Sequence, residues 1–182
     1  VLTSATLTTG PRNFRFFVER LGLREVLADD QLHALEGELP YQHNVLLGLP
    51  TYLSYVPGQA TMQSYVEELS QELLLLFRFT DGRGLVLFTA RTRLEEVCQR
   101  TEQDLEASGI PLFAQRSGES RLRLIEQFRE HGQAVLYGLK SFWEGIDVPG
   151  TALSLVVMEK LPYPYLGDPV YAARREALAR QS

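Results

Sequence analysis

Short apolar runs alternate along this chain with longer stretches in which apolar side chains return every three or four residues. Leu85–Phe88, Ile110–Ala114, Ala134–Tyr137 and Leu153–Met158 are the runs. The last is too short and too apolar for anything but a covered strand or a buried helical fragment, and its β-branched content with the flanking Gly150 and Pro162 favours strand. A strand end is also expected at Val1–Leu2, opening residues 1–7 into a hydroxyl-rich turn closed by Thr9-Gly10-Pro11, and another strand at Val45–Leu49, ended by Pro50. Helical spacing joins Phe14, Phe17, Val18 and Leu21 before Gly22, and Tyr65, Leu69, Leu73, Leu76 and Phe77 across Thr61–Phe79. Thr89–Glu95 opens a helix with the stripe Leu94, Val97, Cys98, Thr101 and Leu105, and Thr92 with Glu95 has capping-box spacing. Ser117–Glu119 starts a helix with inner face Leu122, Ile125 and Phe128 that stops near Gly132. Asp168-Pro169 is an N-cap followed by a first-position proline, starting a helix through about Arg180. Residues 29–44 and 51–59 have no period and read as loops. Short buried strands alternating with helices predict a parallel α/β sheet.

Composition narrows the class. A length of 182 residues suggests one domain with a core able to fold alone, and 45% hydrophobic with 23% charged residues is ordinary for a soluble globular protein. The net charge of −5 argues against a strongly basic nucleic-acid coat but leaves room for a local phosphate-binding groove. With one cysteine, Cys98, the chain can form neither an internal disulfide nor a multi-cysteine metal site, which fits a reducing, cytoplasmic setting. Cys98 itself falls on an apolar stripe and reads as core. No apolar run reaches membrane-spanning length, and no signal peptide is visible. Because it opens on Val1-Leu2 and stops just after a helical pattern, the chain is expected to be a fragment of a longer protein.

Candidate chemistry gathers at strand ends. Residues 4–6, the Thr89–Arg93 junction and the Ser141–Asp147 loop each follow an apolar run, and in a parallel sheet such loops emerge along one edge. Glu144 and Asp147 flank Gly145 beside Phe142-Trp143, an arrangement that fits either a capped turn or one wall of a ligand site. Ser4 and Thr6 fit turn and cap chemistry or a phosphate contact, and Arg91 and Arg93 fit solvated arginines or an anion site at a helix start. Hydroxyls, backbone N–H groups, arginines and two acids suit a phosphate backbone on one side and a nucleotide with its metal on the other. No G-x-x-x-x-G-K-[S/T] is present, so the chain lacks its own triphosphate cradle. His33, His43 and His131 lie in loops or at a helix end and read as surface residues.

Three segments then carry a resemblance. Ser4-Ala5-Thr6-Leu7 resembles the S-A-T motif of superfamily 2 helicases, and Leu85–Thr89 is similar to their fourth motif. Ser141–Gly150, with Lys160–Pro164 and Asp168-Pro169, resembles the DinG branch of the XPD-like helicases. In register with one another, these matches cover nearly the whole chain. They imply a RecA-like three-layer sandwich with a mainly parallel sheet over 1–182, the second, C-terminal motor lobe of an ATP-dependent DNA helicase. The resemblance implies movement 5′→3′ on single-stranded DNA with ATP and Mg²⁺, in DNA repair or replication. An iron–sulfur cluster, where present, belongs to the first lobe. By position, Ser4 and Thr6 would couple hydrolysis to DNA movement, and Thr89 and Arg91 would lie near the DNA backbone. Ser141, Glu144, Gly145 and Asp147 would form the fifth motif between nucleotide and DNA; Ser141 falls on the DNA side. Glu144, Gly145 and Asp147 face the nucleotide, with Glu144 and Asp147 as the catalytic candidates and no metal site of the chain's own. The phosphate loop, the acidic Mg²⁺ motif and the Q-x-x-G-R-x-x-R arginine finger all fall outside this sequence. The expectation is therefore a monomeric half-motor that folds, pairs with a first lobe of the same protein, touches no membrane and does not hydrolyse ATP alone. A non-catalytic α/β module that docks DNA or protein is the alternative.

Overall fold

Four strands form a parallel sheet in the order β2-β3-β1-β4: β1 (Gly84–Leu87), β2 (Leu112–Ala114), β3 (Val135–Gly138) and β4 (Leu155–Met158). β1 is central, with Leu85 beside Leu136 of β3 on one side and Val156 of β4 on the other. The computed structural model describes residues 1–4, 7–10, 12–35, 40–53, 59–163 and 167–180, with backbone alone at 29 and 59–61. The chain divides into two units, Val1–Leu49 and Pro50–Ser182, and the sheet lies in the second.

Three layers build that second unit. The sheet residues Val86, Phe88, Val135 and Tyr137 point to one face, where α3 (Gln59–Phe79) contributes Val66, Leu69, Leu73 and Phe77 and α4 (Arg91–Ala107) contributes Leu94, Val97, Cys98 and Leu105. Leu85, Leu87 and Leu136 point to the other face, against Leu124, Ile125 and Phe128 of α5 (Arg121–His131) and against Phe142. Strand alternation thus loads both faces, the requirement of a sheet sandwiched between helices. Burying an uncharged Tyr137 needs a partner for its hydroxyl. Thr101 gives its own hydroxyl hydrogen to the Val97 carbonyl at 2.9 Å, so Tyr137 donates to Thr101 Oγ1 at 3.1 Å. Burial also pushes the Cys98 thiol up to about 11, in keeping with a core rather than a reactive cysteine.

Several predicted elements need correction. The helix α4 starts at Arg91 with Ala90 as an extended N-cap, so Thr92 lies inside the first turn and no side chain caps it. On α5 the inner face is Leu124, Ile125 and Phe128, whereas Leu122 points away and is 67% exposed, about 200° around the helix from Leu124. β4 is not covered on both faces. Leu155 and Val157 pack under α3 and α4, but Val156 and Met158 are 49% and 55% exposed, because α5 packs over β2 and β3 and not over this edge strand. The last helix, α6 (Pro169–Ala179), begins as predicted, with Asp168 accepting from Val170 N at 2.8 Å and Tyr171 N at 3.0 Å.

The first unit holds the short helices α1 (Arg15–Arg20) and α2 (Tyr41–Asn44) and one 3-10 turn, Asp29–Gln31. Residues 1–4 carry no strand, and neither do Val45–Leu49, where Leu46 is 97% exposed. Both segments were expected as strands; among the described residues neither has a neighbouring strand to satisfy its backbone.

Candidate functional site

The crossovers fix where a ligand crevice opens. From β1 the chain enters α4 on one face of the sheet, whereas from β3 it passes through residues 139–153 on the opposite face, where Phe142, Trp143, Ile146, Val148 and Leu153 pack. Adjacent parallel strands whose exits leave to opposite faces open a crevice at their carboxyl ends, the place where sheets of this kind take ligands. At β1 and β3 that edge carries Thr89 and Arg91 on one side and Ser141, Glu144, Gly145 and Asp147 on the other.

Gln115, directly after β2, ties the two sides together. Arg91 Nη1 donates to the Gln115 carbonyl at 3.2 Å, Gln115 Nε2 donates to Ser141 Oγ at 3.0 Å, and Leu139 N donates to Gln115 Oε1 at 2.9 Å. Two of the sequence-predicted positions, Arg91 and Ser141, are therefore joined through Gln115.

The loop after β3 is shaped from within and from outside. Lys140–Phe142 form a 3-10 turn, and Phe142 turns back to sit on the sheet, with Gly138 beneath it. A Cβ at Gly138 would lie 2.5 Å from both Cβ and Cγ of Phe142, so only glycine lets this ring seat. Gly145 adopts φ +66, reversing the chain between the two acids. Arg121, the first residue of α5, holds the result: Nε donates to the Ser141 carbonyl at 2.9 Å, and Nη2 donates to the Glu144 carbonyl at 2.9 Å and the Gly145 carbonyl at 2.8 Å. Its guanidinium also lies 5.6 Å from the centre of the Phe142 ring. Glu144 and Asp147 themselves are exposed.

On the other side of β1, Thr89 meets a buried charge. Glu159, one residue beyond β4, has a side chain that is 4% exposed, and nearby Thr89 favours its charged form. Arg93 lies 3.7 Å away through Nε, close enough for an ion pair but beyond a hydrogen bond, while its guanidinium stacks 5.5 Å from the Tyr65 ring centre. Tyr65 in turn donates to the Glu159 carbonyl at 3.3 Å. Burial outweighs these favourable partners and holds the Glu159 carboxyl above its ordinary value.

Sequence reasoning missed Gln115, Arg121 and Glu159. Two left a signal. A carboxylate ending an apolar strand, as Glu159 does after Leu153–Met158, needs a partner. An arginine in the first turn of a helix opposes the dipole there, so its guanidinium must be satisfied elsewhere, as Arg121 is. Gln115 left none. Of the remaining predicted residues, Ser4 lies exposed in the first unit, and Thr6 lies outside the described residues. Among the described residues no group of three or more His, Cys, Asp or Glu is placed to hold a metal ion, and no helix is long and apolar enough to cross a membrane. A cavity of about 410 Å³ lies wholly in the first unit, lined by Phe14, Val18 and Leu27 among others, and contains none of these residues.

The second unit is thus an α/β unit with a crevice at the carboxyl ends of β1 and β3, and the sequence holds no G-x-x-x-x-G-K-[S/T]. Residues 73–182 match the model of the helicase C-terminal domain. The chain belongs to that family as a DinG-type helicase C-terminal lobe, and its parallel sheet is RecA-like in kind. It is 34% identical over 182 residues to the "3'-5' exonuclease DinG" of Bacillus subtilis, spanning 100% of this chain and 19% of that protein. It is 33% identical over 179 residues to the "ATP-dependent helicase DinG" of Mycobacterium tuberculosis, covering 98% of this chain and 26% of that one. With "ATP-dependent DNA helicase YoaA" of Escherichia coli the identity is 32% over 177 residues, 97% of this chain and 26% of the relative. The chain thus spans about a fifth to a quarter of the length of these relatives.

Proposed function

We propose that residues 1–182 together act as the C-terminal motor lobe of an ATP-dependent DNA helicase that moves 5′→3′ on single-stranded DNA, working in the cytoplasm in DNA repair or replication. What supports the reading most is the hydrogen-bonded path from Arg91 through Gln115 to Ser141, which links a DNA-facing helix start to the loop that bears Glu144 and Asp147. Coverage of 97% to 100% of the chain by helicase and exonuclease relatives supports treating both units as one functional lobe.

In this reading the acids Glu144 and Asp147, with Gly145 between them, face the nucleotide. Ser4, Thr6, Thr89, Arg91 and Ser141 face the DNA or couple the two ligands. The residues present fit only part of a nucleotide site: two carboxylates and a hydroxyl-lined edge, without a phosphate cradle. ATP and Mg²⁺ are accordingly held mainly by a first lobe of the same protein, and when bound they supply the leaving group and its charge neutralisation. The chain's own part is to place Glu144 and Asp147 at the cleft and to sense its occupancy. An iron–sulfur cluster, if the protein carries one, lies in that first lobe, and the working form is a monomer.

The test is turnover. The full-length protein is expected to hydrolyse ATP with stimulation by single-stranded DNA, and the 182-residue chain alone to hydrolyse none. Glu144→Ala and Asp147→Ala should lose the stimulated rate at unchanged melting temperature. Full-rate turnover by both variants would remove these residues from the mechanism, and a full-length protein without ATPase would favour the docking-module alternative, which the net charge of −5 and the missing motifs keep open.

A further inference from the structure

The loop between β3 and β4 is anchored by apolar side chains on the sheet, but its backbone makes few hydrogen bonds of its own. Its two internal backbone bonds, Phe142 N to the Leu139 carbonyl at 2.8 Å and Trp143 N to the Lys140 carbonyl at 3.2 Å, close only the 3-10 turn. Beyond Trp143 the backbone of Glu144 and Gly145 is tied down from outside, by Arg121. That one guanidinium reaches carbonyls at both ends of a five-residue span, Ser141 and Gly145, a reach that suits the fork of separate N–H donors on a guanidinium better than a single point donor. Gln115 secures the other end at Leu139 N and Ser141 Oγ.

We infer that Arg121 is a positioning residue for the proposed motor reaction: through its three carbonyl contacts it sets where Glu144 and Asp147 stand relative to the crevice. The inference rests on the motor reading above. Three of its five N–H donors go to loop carbonyls and its guanidinium lies over the face of Phe142, so its contacts among the described residues are all with the loop. Misplacing acids that act late on the reaction path lowers the rate of the bound complex, whereas nucleotide affinity, supplied by the first lobe, stays where it was. Lysine at this position keeps the charge and the helix but offers a single ammonium point donor on a longer, freer stem.

Two measurements test this. In the 182-residue chain, Arg121→Lys should raise hydrogen exchange at the amides of 140–147 while the amides of β1 and β3 keep their protection. In the full-length protein, the same substitution should lower kcat for DNA-stimulated ATP hydrolysis roughly 10- to 100-fold, with KM for ATP within about threefold. For Arg121→Ala, added guanidinium at millimolar concentration should restore part of kcat, and methylammonium at equal ionic strength should not. Unchanged exchange at 140–147 would overturn the tether whatever the turnover. Raised exchange with unchanged kcat, or a kcat lost in step with global unfolding, would overturn the positioning role. Raised exchange in a chain whose unaltered full-length protein has no ATPase would leave the tether standing and remove the motor reading instead.

Discussion

At the scale of single residues, Glu159 shows most clearly how position overrides chemical type. A carboxylate one residue past β4, 4% exposed, is held above its ordinary value of 4.5 because burial penalises its charge more than Arg93, Lys160 and Thr89 together favour it. The direction sets a pH dependence. A carboxyl whose pKa is raised by folding binds its proton more tightly in the native state, so its contribution to stability is full below pH 4.5 and is lost as pH rises through the raised value. Glu159→Gln removes that titration. Thermal melts of both proteins across pH 4 to 7 should show the wild type losing stability relative to Glu159→Gln as pH rises from about 4.5 and the difference levelling off above the raised pKa. A constant offset between the two curves would mean that Glu159 titrates like a free acid. The same group explains why Thr89 was legible only in part. Its place at the end of β1 follows from the apolar run before it. Its influence on Glu159 links residues seventy positions apart, which no local pattern encodes.

At the scale of elements, what the sequence shows and hides follows from whether local or long-range forces decide. The stripe of α4, Leu94 through Leu105, is set by helical period and stands as predicted. So does the start of α6, where Asp168 and Pro169 fix the cap chemically. Failures fall where neighbours decide. Val45–Leu49 is apolar enough for a strand but has no partner strand among the described residues, and Val156 and Met158 face out, with α5 packed over β2 and β3 rather than over β4. The loop at 139–147 stands out in the sequence as a candidate by its two acids and glycine, yet its shape depends on Gln115 and Arg121, which come from other elements. α6 offers a direct test of local against long-range control. It has no buried residue, so its start depends on Asp168 rather than on packing. Asp168→Ala should cost about 1 kcal/mol, felt locally: exchange at the amides of Val170 and Tyr171 rises, and the main unfolding transition of the sheet unit stays within error. A global transition lowered by the full amount would mean that α6 is integral to the core.

For the whole molecule, charge and architecture together bound what the chain can do alone. A net charge of −5 gives no long-range pull toward a polyanion, so on the proposed motor reading DNA would be contacted by cations local to the crevice. At the edge formed by β1 and β3 the exposed cations are Arg91 and Lys140; Arg93 is committed to Glu159 and Arg121 to the loop carbonyls. Arg91 spends one of its donors on Gln115 and keeps the others for a phosphate. Two cations neutralising about two phosphates of a single strand predict a slope of about −1.4 in log K against log salt concentration. Binding of single-stranded DNA by the 182-residue chain should accordingly be weak at physiological salt and easily lost on raising it. Removing Arg91 by Arg91→Ala should flatten the slope by about 0.7. Fluorescence anisotropy of a labelled oligonucleotide, titrated from about 20 to 200 mM salt, reads both quantities. Tight binding at physiological salt, or a slope several times steeper, would mean that a larger basic surface than this edge takes the strand. A slope untouched by Arg91→Ala would place the DNA path away from β1 altogether.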